Sequence, residues 1–259
     1  MAFVTKGYGF LFIWAALSAA PAPAQTIVSR IDLSTSFAAR PGWRFLAFQG
    51  PEIPDELLGR APGAIRMCIS RDGGRSCHPD LNPLLGTDNR PDGFYEPHFL
   101  RRVRVVRPRP GQALLLVQAA SLPSFNGNQG EGLAALTYDR ARNQFILAYQ
   151  RVTGHNNNEE IRYIAAGPLR GAIVSAEPTG NAPFGFWIVV NRLALTGRYR
   201  EILRFRSATH YGDGNPLAVI DSEMPNILQR LSLWRSGQPL PLPARVCRRP
   251  RLVDHELWC

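Results

Sequence analysis

The sequence predicts an all-β protein made of antiparallel hairpins, with one short helix near its C-terminal end. Many short segments are rich in aliphatic, aromatic and β-branched residues, as strands usually are. Turn-forming glycine, proline, asparagine and aspartate separate them at intervals of roughly eight to fifteen residues. This spacing is typical of a small β-propeller-like domain or a β-sandwich, and the sequence analysis leaves both architectures open. No sequence repeat of fixed period is evident, which weakens the propeller interpretation.

The first 24 residues have the features of a secretory signal peptide. Lys6 and the amino terminus supply positive charge, residues 9–20 are apolar, and the small residues 22–24 suit a cleavage site. We therefore expect one all-β domain over residues 25–259, located in the periplasm or secreted. The alternative is an uncleaved anchor, but the apolar run is shorter than the roughly 20 residues a spanning helix needs. No transmembrane segment is expected after signal removal.

The cysteine count favours disulfide bonds in an exported chain. The four cysteines are Cys68, Cys77, Cys247 and Cys259. We expect the local pairs Cys68–Cys77 and Cys247–Cys259, the second closing a C-terminal tail, although three connectivities are possible. A zinc site is the rival interpretation, but neither pair has the two-to-four-residue spacing of structural zinc modules.

The chain is strongly basic, with a formal net charge of +10, and Lys6 is its only lysine. An arginine-rich face can bind phosphates, carboxylates or acidic glycans through paired hydrogen bonds. Alternatively, arginine replaces lysine through genomic base composition and the surface is merely solvated. Nucleic acid is not expected as a partner, because the chain is predicted to be exported and lacks a basic motif interleaved with aromatic residues.

The first half of the chain predicts three strands and one short helix. Residues 26–32 alternate weakly, residues 43–48 carry aromatic residues that suit a half-buried sheet, and residues 65–70 alternate again. Residues 54–59 begin with proline and end with glycine, as a helix of one or two turns does.

A turn with a recognisable residue pattern follows the strand at 65–70. The residues that define the pattern are Ser70, Asp72, Gly74 and Ser76. They resemble the Asp-box hairpin of sialidase-type β-propellers and of some other β folds, except that Cys77 occupies the aromatic position. The resemblance covers eight residues in a single copy and implies a structural hairpin without a catalytic residue. Independently of it, Asp72 can accept hydrogen bonds from the turn's own amides, and Gly73 can adopt the positive φ of a tight turn.

The second half predicts a series of hairpins. The expected strands are residues 99–106 with 113–119, 133–138 with 145–152, 161–166 with 172–178, and 187–195 with 199–207. Residues 113–119 are almost continuously apolar, which indicates a central strand. In residues 226–234, Ile227, Leu231 and Trp234 share one helical face, and Asn226 is the expected N-cap.

Common catalytic motifs are absent from the sequence. It contains no Gly-x-Ser-x-Gly elbow, no His-Glu-x-x-His helix, no Walker loop and no dinucleotide glycine fingerprint. Three polar clusters remain as candidate sites, at residues 126–131, 155–160 and 210–223. Solvated loops and turn-capping residues are the simplest explanation of such clusters.

If the clusters lie on one rim, their side chains suit three roles. The expected ligand-binding residues are His155, Asn156, Asn157, Asn158, Glu159, Glu160 and His210. A catalytic alternative combines Glu160, Asp221, Glu223 and His210, because glycoside hydrolysis needs two carboxyl groups roughly 5–10 Å apart. A calcium site could use the hard oxygen ligands of Asp213, Asn215, Asp221 and Glu223.

These features together predict a binding or envelope-associated module that is not an enzyme. Its expected partners are acidic glycans or lipid headgroups, recognised by arginine, and it needs no cofactor. The alternative is a carbohydrate-active hydrolase that uses the paired carboxylates, or a protein that binds calcium.

Overall fold

The computed structural model describes residues 25–85, 96–154, 158–180, 184–215 and 217–241, and the backbone of residues 251–253 and 256–258. Most of these residues form antiparallel strands, so the all-β prediction is confirmed. The described strands build open sheets that do not close into a propeller. The predicted signal peptide, residues 1–24, lies outside the described residues, as do His155, Asn156, Asn157, Cys247 and Cys259.

The first sheet has the order β1-β2-β5 and lies at one side of the fold. The elements of this part of the chain are β1 (Thr26–Asp32), α1 (Ser34–Phe37), β2 (Arg44–Gln49), β3 (Ile53–Asp55), β4 (Gly59–Ala61) and β5 (Ile65–Ser70). The predicted helix at 54–59 is wrong, because β3 and β4 form a hairpin there. Asp55 Oδ1 accepts hydrogen bonds from the amides of Leu57 and Leu58 at 3.0 and 2.7 Å, and these bonds close a turn.

The turn after β5 has the hydrogen bonds expected of Asp72. The amide of Ser76 donates to both carboxylate oxygens of Asp72, at 3.0 and 3.1 Å, and the Ser70 hydroxyl donates to Oδ1 at 2.6 Å. These bonds, those from Ser70 foremost, hold the pKa of Asp72 far below its usual range. Gly73 has the expected positive φ, 79°. Cys68 and Cys77 form the predicted disulfide, so the turn is also closed covalently.

The middle sheet is an antiparallel meander in chain order. Its strands are β6 (Phe99–Arg109), β7 (Gln112–Ala120), β8 (Glu131–Asp139) and β9 (Gln144–Thr153). On β7, Leu115 and Val117 pack against the first sheet, whereas Leu116 packs on the opposite face against Ile161 and Ile173. The continuous apolar run therefore marks a strand buried on both faces, as the sequence predicts.

The third sheet is a second meander, and helices cover its outer face. Its strands are β10 (Glu160–Tyr163), β11 (Ile173–Pro178), β12 (Gly185–Leu193) and β13 (Tyr199–His210), followed by α2 (Val219–Ser222), α3 (Met224–Arg230), β14 (Arg251–Val253) and β15 (Glu256–Trp258). Phe186, Ile188 and Val190 of β12 pack with Ile227 and Leu228 of α3. The three larger sheets and the helices thus form a stack of four layers, and β3–β4 and β14–β15 are separate two-stranded hairpins.

The predicted C-terminal helix is present, but its bounds differ from the prediction. α3 begins at Met224 with Pro225 in its first turn, so Asn226 lies inside the helix and is not the N-cap. Proline favours a helix start because it has no amide hydrogen to leave unpaired there. α3 ends at Arg230, so Leu231 and Trp234 lie beyond the helix and the predicted helical face is only partly correct. Ile227, on the helix, is fully buried, and Trp234, after it, is nearly so.

The three polar clusters lie at the same end of the two meanders. The strand partners Ala120–Glu131 and Glu131–Thr153 end the middle sheet on this side, and Glu160–Ala176 and Gly185–His210 end the third sheet. Only residues 154–159 connect β9 to β10, so these two ends adjoin. The opposite end carries the short turns between the other strand ends. In the part of the chain that the structure describes, no helix is long and apolar enough to span a bilayer.

Candidate functional site

The strongest candidate site is a cleft between the middle and third sheets, on the side of β6 and β10. Its volume is ≈ 310 Å³, at the lower end of the range of small-molecule sites. Its walls are formed by Arg101, Arg102, Arg104, Leu116, Gln118, Leu133, Ile161, Arg162 and Tyr163. We call this feature the arginine cleft.

The geometry of β6 explains why neighbouring arginines line one cleft. Arg102 lies opposite Gln118 and Arg104 lies opposite Leu116, so both arginines are on the sheet face that meets the third sheet. The β6–β7 register shifts between Leu100 and Arg102. Such an irregularity re-aims a side chain, and Arg101 therefore joins the cleft although it is adjacent to Arg102 in sequence.

Contacts with neighbouring side chains position two of these guanidinium groups. Arg101 donates a hydrogen bond from Nη2 to Oε1 of Gln129, which is buried. The Arg104 guanidinium lies 5.7 Å from the ring centroid of Tyr163, within cation–π range, and its Nε is buried with no hydrogen-bond partner. Burial raises the pKa of Tyr163, while Arg170 and Arg104 oppose that rise. Tyr163 is therefore a neutral hydroxyl near neutral pH.

The β6 arginines form no ion pair with a carboxylate that the structure describes, although Gln118 of the same cleft donates a hydrogen bond to the carboxylate of Glu131. The ion pairs among described residues involve other cations, and none includes Arg101, Arg102 or Arg104. Arginine keeps its charge at every physiological pH. The cleft therefore presents three cationic groups to whatever enters it.

Arg162, on β10, is different because two carboxylates hold it. Its Nε donates to Glu160 Oε1 at 2.6 Å and its Nη1 donates to Asp221 Oδ1 at 2.6 Å. The second Glu160 oxygen accepts from the amide of Ile220 at 3.2 Å. Burial raises the pKa of Glu160 despite its arginine partner. Burial also lowers the pKa of Arg162, but the bonds to both carboxylates outweigh this effect and raise it.

Comparison with known proteins identifies no relative of this chain. No protein-family model matches the chain, and no similar curated protein or solved structure is found. The Asp-box resemblance of the turn after β5 thus remains a prediction. The functional argument rests on the residues of the site alone.

The other predicted catalytic residues are engaged in local structure. Glu223 is fully buried, and its Oε1 accepts from the amide and hydroxyl of Thr209 at 2.7 and 2.6 Å. Its Oε2 accepts from Asn226 Nδ2 at 2.8 Å. His210 is exposed at the end of β13, and its amide donates to Asp213 Oδ2 at 3.0 Å. Glu160 and Asp221 are brought together by Arg162, while Glu223 faces the interior.

The structure describes Asn158, Glu159 and Glu160 of the predicted ligand-binding loop. Asn158 adopts a positive φ of 61°. Glu159 Oε2 accepts from the amide of Gly154 at 2.7 Å, and burial raises the pKa of Glu159. Glu159 therefore bonds the backbone amide of a residue just before it in the chain, as turn-capping residues do.

The predicted calcium ligands do not form a common cage. Asp213 Oδ1 accepts from the amide of Asn215 at 2.9 Å, and Asn215 Nδ2 donates to Ser222 at 2.7 Å. Asp221 bonds Arg162, and Glu223 bonds Thr209. Within the described ranges, no group of three or more histidine, cysteine, aspartate or glutamate side chains is placed to hold a metal ion.

The sequence analysis missed the arginine cleft. The signal was present in residues 101–104, Arg-Arg-Val-Arg, on a predicted strand. Period-2 alternation puts Arg102 and Arg104 on one face. What the alternation does not reveal is that this face meets another sheet and not solvent.

Proposed function

We propose that this protein is a binding module for acidic ligands of the cell envelope, acidic glycans or lipid headgroups, and that the arginine cleft is its ligand site. The observation that carries the proposal is the row of three arginines without a described carboxylate partner in one concave site. A carboxylate or phosphate there would receive charge-assisted hydrogen bonds, each worth about 1.5–3 kcal/mol. Arg102 and Arg104 point from the same sheet face and would share one anionic group.

The carboxylates support a binding module better than a hydrolase. A glycosidase needs two carboxyl groups that face the sugar from either side of the scissile bond. Here Glu160 and Asp221 both bind Arg162, and Glu223 has no exposed surface. These contacts give the three groups structural roles in joining β10 and β13 to the helical layer.

The test is binding of defined anions by the mature chain. Isothermal calorimetry would use short oligosaccharides of galacturonate and of heparin, and sedimentation would use phosphatidylglycerol vesicles. Neutral dextran and phosphatidylcholine vesicles are the uncharged controls. Binding of at least one acidic probe is expected to weaken with added salt, because screening reduces attraction between accessible charges.

The matched variants have equal net charge. The Arg102→Gln, Arg104→Gln double variant is expected to bind about 10- to 100-fold more weakly, since each lost contact costs about 1 kcal/mol or more. The Arg140→Gln, Arg235→Gln double variant removes two exposed arginines elsewhere and should bind as the wild type does. Equal affinity of both variants, or salt-independent binding, would reject the cleft as the site.

Sequencing of the secreted N-terminus would test export, with Gln25 as the expected first residue.

A further inference from the structure

A second feature lies beside the arginine cleft, in the loop between β7 and β8. Phe125 is 78% exposed there, in a segment that has its own hydrogen bonds. The loop spans residues 121–130, at the polar end of the middle sheet. We call it the Phe125 loop.

Backbone and side-chain hydrogen bonds hold the Phe125 loop in one shape. The amide of Ser124 donates to the carbonyl of Asn128 at 2.7 Å, and the amide of Gly127 donates to the carbonyl of Ser124 at 2.8 Å. Lower in the loop, the amide of Ser121 donates to the carbonyl of Gly130 at 2.9 Å. Phe125 is thus displayed at the tip of a formed turn, so that little ordering entropy is lost when a ligand contacts it.

The same loop is tied to the arginine cleft. Gln129 Nε2 donates to the carbonyl of Ser121 at 2.5 Å, and Gln129 Oε1 accepts from Arg101, which lines the cleft. Phe125 is four residues from Gln129, so their Cα atoms are at most about 14 Å apart. The ring and the guanidinium groups are therefore within reach of one oligosaccharide of a few sugar units.

We infer that Phe125 is a stacking platform for a sugar ring of an acidic glycan whose charged group occupies the arginine cleft. The inference rests on the proposed function and narrows its ligand to a glycan. The apolar C–H face of a sugar packs on an aromatic ring, and the neighbouring guanidinium groups bind the acidic substituent. Phe125 thus extends the site beyond the charged group and contributes contact area that does not depend on salt.

The lining of the cleft favours a glycan over a lipid. Leu116, Leu133 and Ile161 are 3%, 4% and 7% exposed, so the floor offers almost no apolar surface to an acyl chain. A single phenyl ring is also a weak membrane anchor, because even a whole myristoyl chain holds a protein on a bilayer only marginally. The polar cleft and one flat ring together match a charged sugar.

The experiment uses the mature chain, short galacturonate and heparin oligosaccharides, and free galacturonate. For the oligosaccharides, Phe125→Ala is expected to weaken binding about tenfold, the loss of one buried aromatic contact. Phe125→Trp should retain binding, whereas Phe125→Leu should behave like Phe125→Ala, since leucine has no flat ring. Free galacturonate, which fills only the cleft, should bind the wild type and Phe125→Ala equally.

Leu195→Ala is the matched control, because Leu195 is 91% exposed at the opposite end of the third sheet. It should leave every affinity unchanged. If Phe125→Ala leaves oligosaccharide binding unchanged while the Arg102→Gln, Arg104→Gln variant loses it, the platform is rejected and the binding function stands. If the protein binds phosphatidylglycerol vesicles and no oligosaccharide, and Phe125→Leu retains that binding, the ring is a membrane contact and the inference is overturned. Binding of no acidic probe would reject both proposals.

Discussion

Replacing Arg162 by methionine tests the contact that joins β10 to the helical layer. Arg162 lies between Glu160 and Asp221, and the side chains of the three residues are 33%, 20% and 15% exposed. Methionine keeps an unbranched apolar stem in place of the arginine stem and removes the charged guanidinium group. Two carboxylates then remain close together in a partly buried place.

The expected loss of stability follows from those two charges. Unit charges about 6 Å apart repel by about 3 kcal/mol at an effective dielectric constant of about 20. Removing one partner from a buried ion pair costs about 3–5 kcal/mol in other proteins, and partial exposure reduces that value. We therefore expect Arg162→Met to lower the free energy of unfolding by about 2–4 kcal/mol at pH 7.5.

The dependence of this stability loss on pH tests whether the loss comes from the two carboxylate charges. Burial already raises the pKa of Glu160, and loss of Arg162 would raise it further. A carboxyl group whose pKa is higher in the folded than in the unfolded state destabilises the folded state at pH values above its folded-state pKa. This destabilisation disappears as the pH falls below the pKa that the group has in the unfolded state. The deficit of Arg162→Met, measured by urea unfolding, should therefore shrink between pH 7.5 and pH 4.

A neutral partner provides the control. Adding Asp221→Asn to Arg162→Met should restore about half or more of the lost stability, because the repulsion between the two carboxylates is removed. A deficit under about 0.5 kcal/mol, or one that is equal at both pH values, would refute the electrostatic argument.

Further predictions concern the turn after β5 and the packing of β8. Reducing Cys68–Cys77 should lower the free energy of unfolding by about 2–3 kcal/mol, and an unchanged urea midpoint with reductant would contradict this. Because folding lowers the pKa of Asp72, this carboxylate stabilises the folded state at pH values above its ordinary pKa of 3.8. That stabilisation is lost as the pH falls. Asp72→Asn should therefore lower the melting temperature at pH 7, and the melting temperature of the variant should fall less steeply as the solution is acidified. A variant whose melting temperature falls in acid as steeply as that of the wild type would contradict this. Gly132→Ala should cost about 1–3 kcal/mol, since its Cβ would lie 2.8 Å from a leucine side chain, whereas Gly180→Ala, with open space, should be neutral.

Local sequence patterns predicted the hairpins of the two meanders well, because each strand there pairs with its neighbour in the chain. The strands predicted at 99–106 and 113–119 are the cores of β6 and β7, and the turn between them is only two residues long. β8 with β9 and β12 with β13 are also hairpins of chain neighbours, with turns of four and five residues. The helix predicted at 54–59 failed for an equally local reason, since the Asp55 side chain caps a β-turn that proline and glycine also suit.

The candidate site depends on features that a local pattern does not contain. The contact between Arg162 and Asp221 joins residues 59 positions apart. The bulge that brings Arg101 beside Arg102 is a property of strand pairing, and the cleft forms only when two sheets stack. The polar clusters were predicted as sites because they are rich in functional groups. Some of those groups, such as Glu159 and Asp213, bond the backbone of their own turns instead.

The structure also bears on the two interpretations of the basic composition. Base composition can account for the number of arginines but not for their environments. Several arginines are paired with a nearby carboxylate, namely Arg60 with Glu52, Arg142 with Asp139, Arg151 with Glu177 and Arg204 with Glu201. Others are exposed, where solvent screens their charge. Arg101, Arg102 and Arg104 differ because a bulge and the strand register turn them toward one cleft, where low-dielectric walls strengthen their attraction for an anion. The comparison of two double variants of equal net charge separates these explanations, since bulk charge predicts equal loss of binding and a built site predicts loss in one alone.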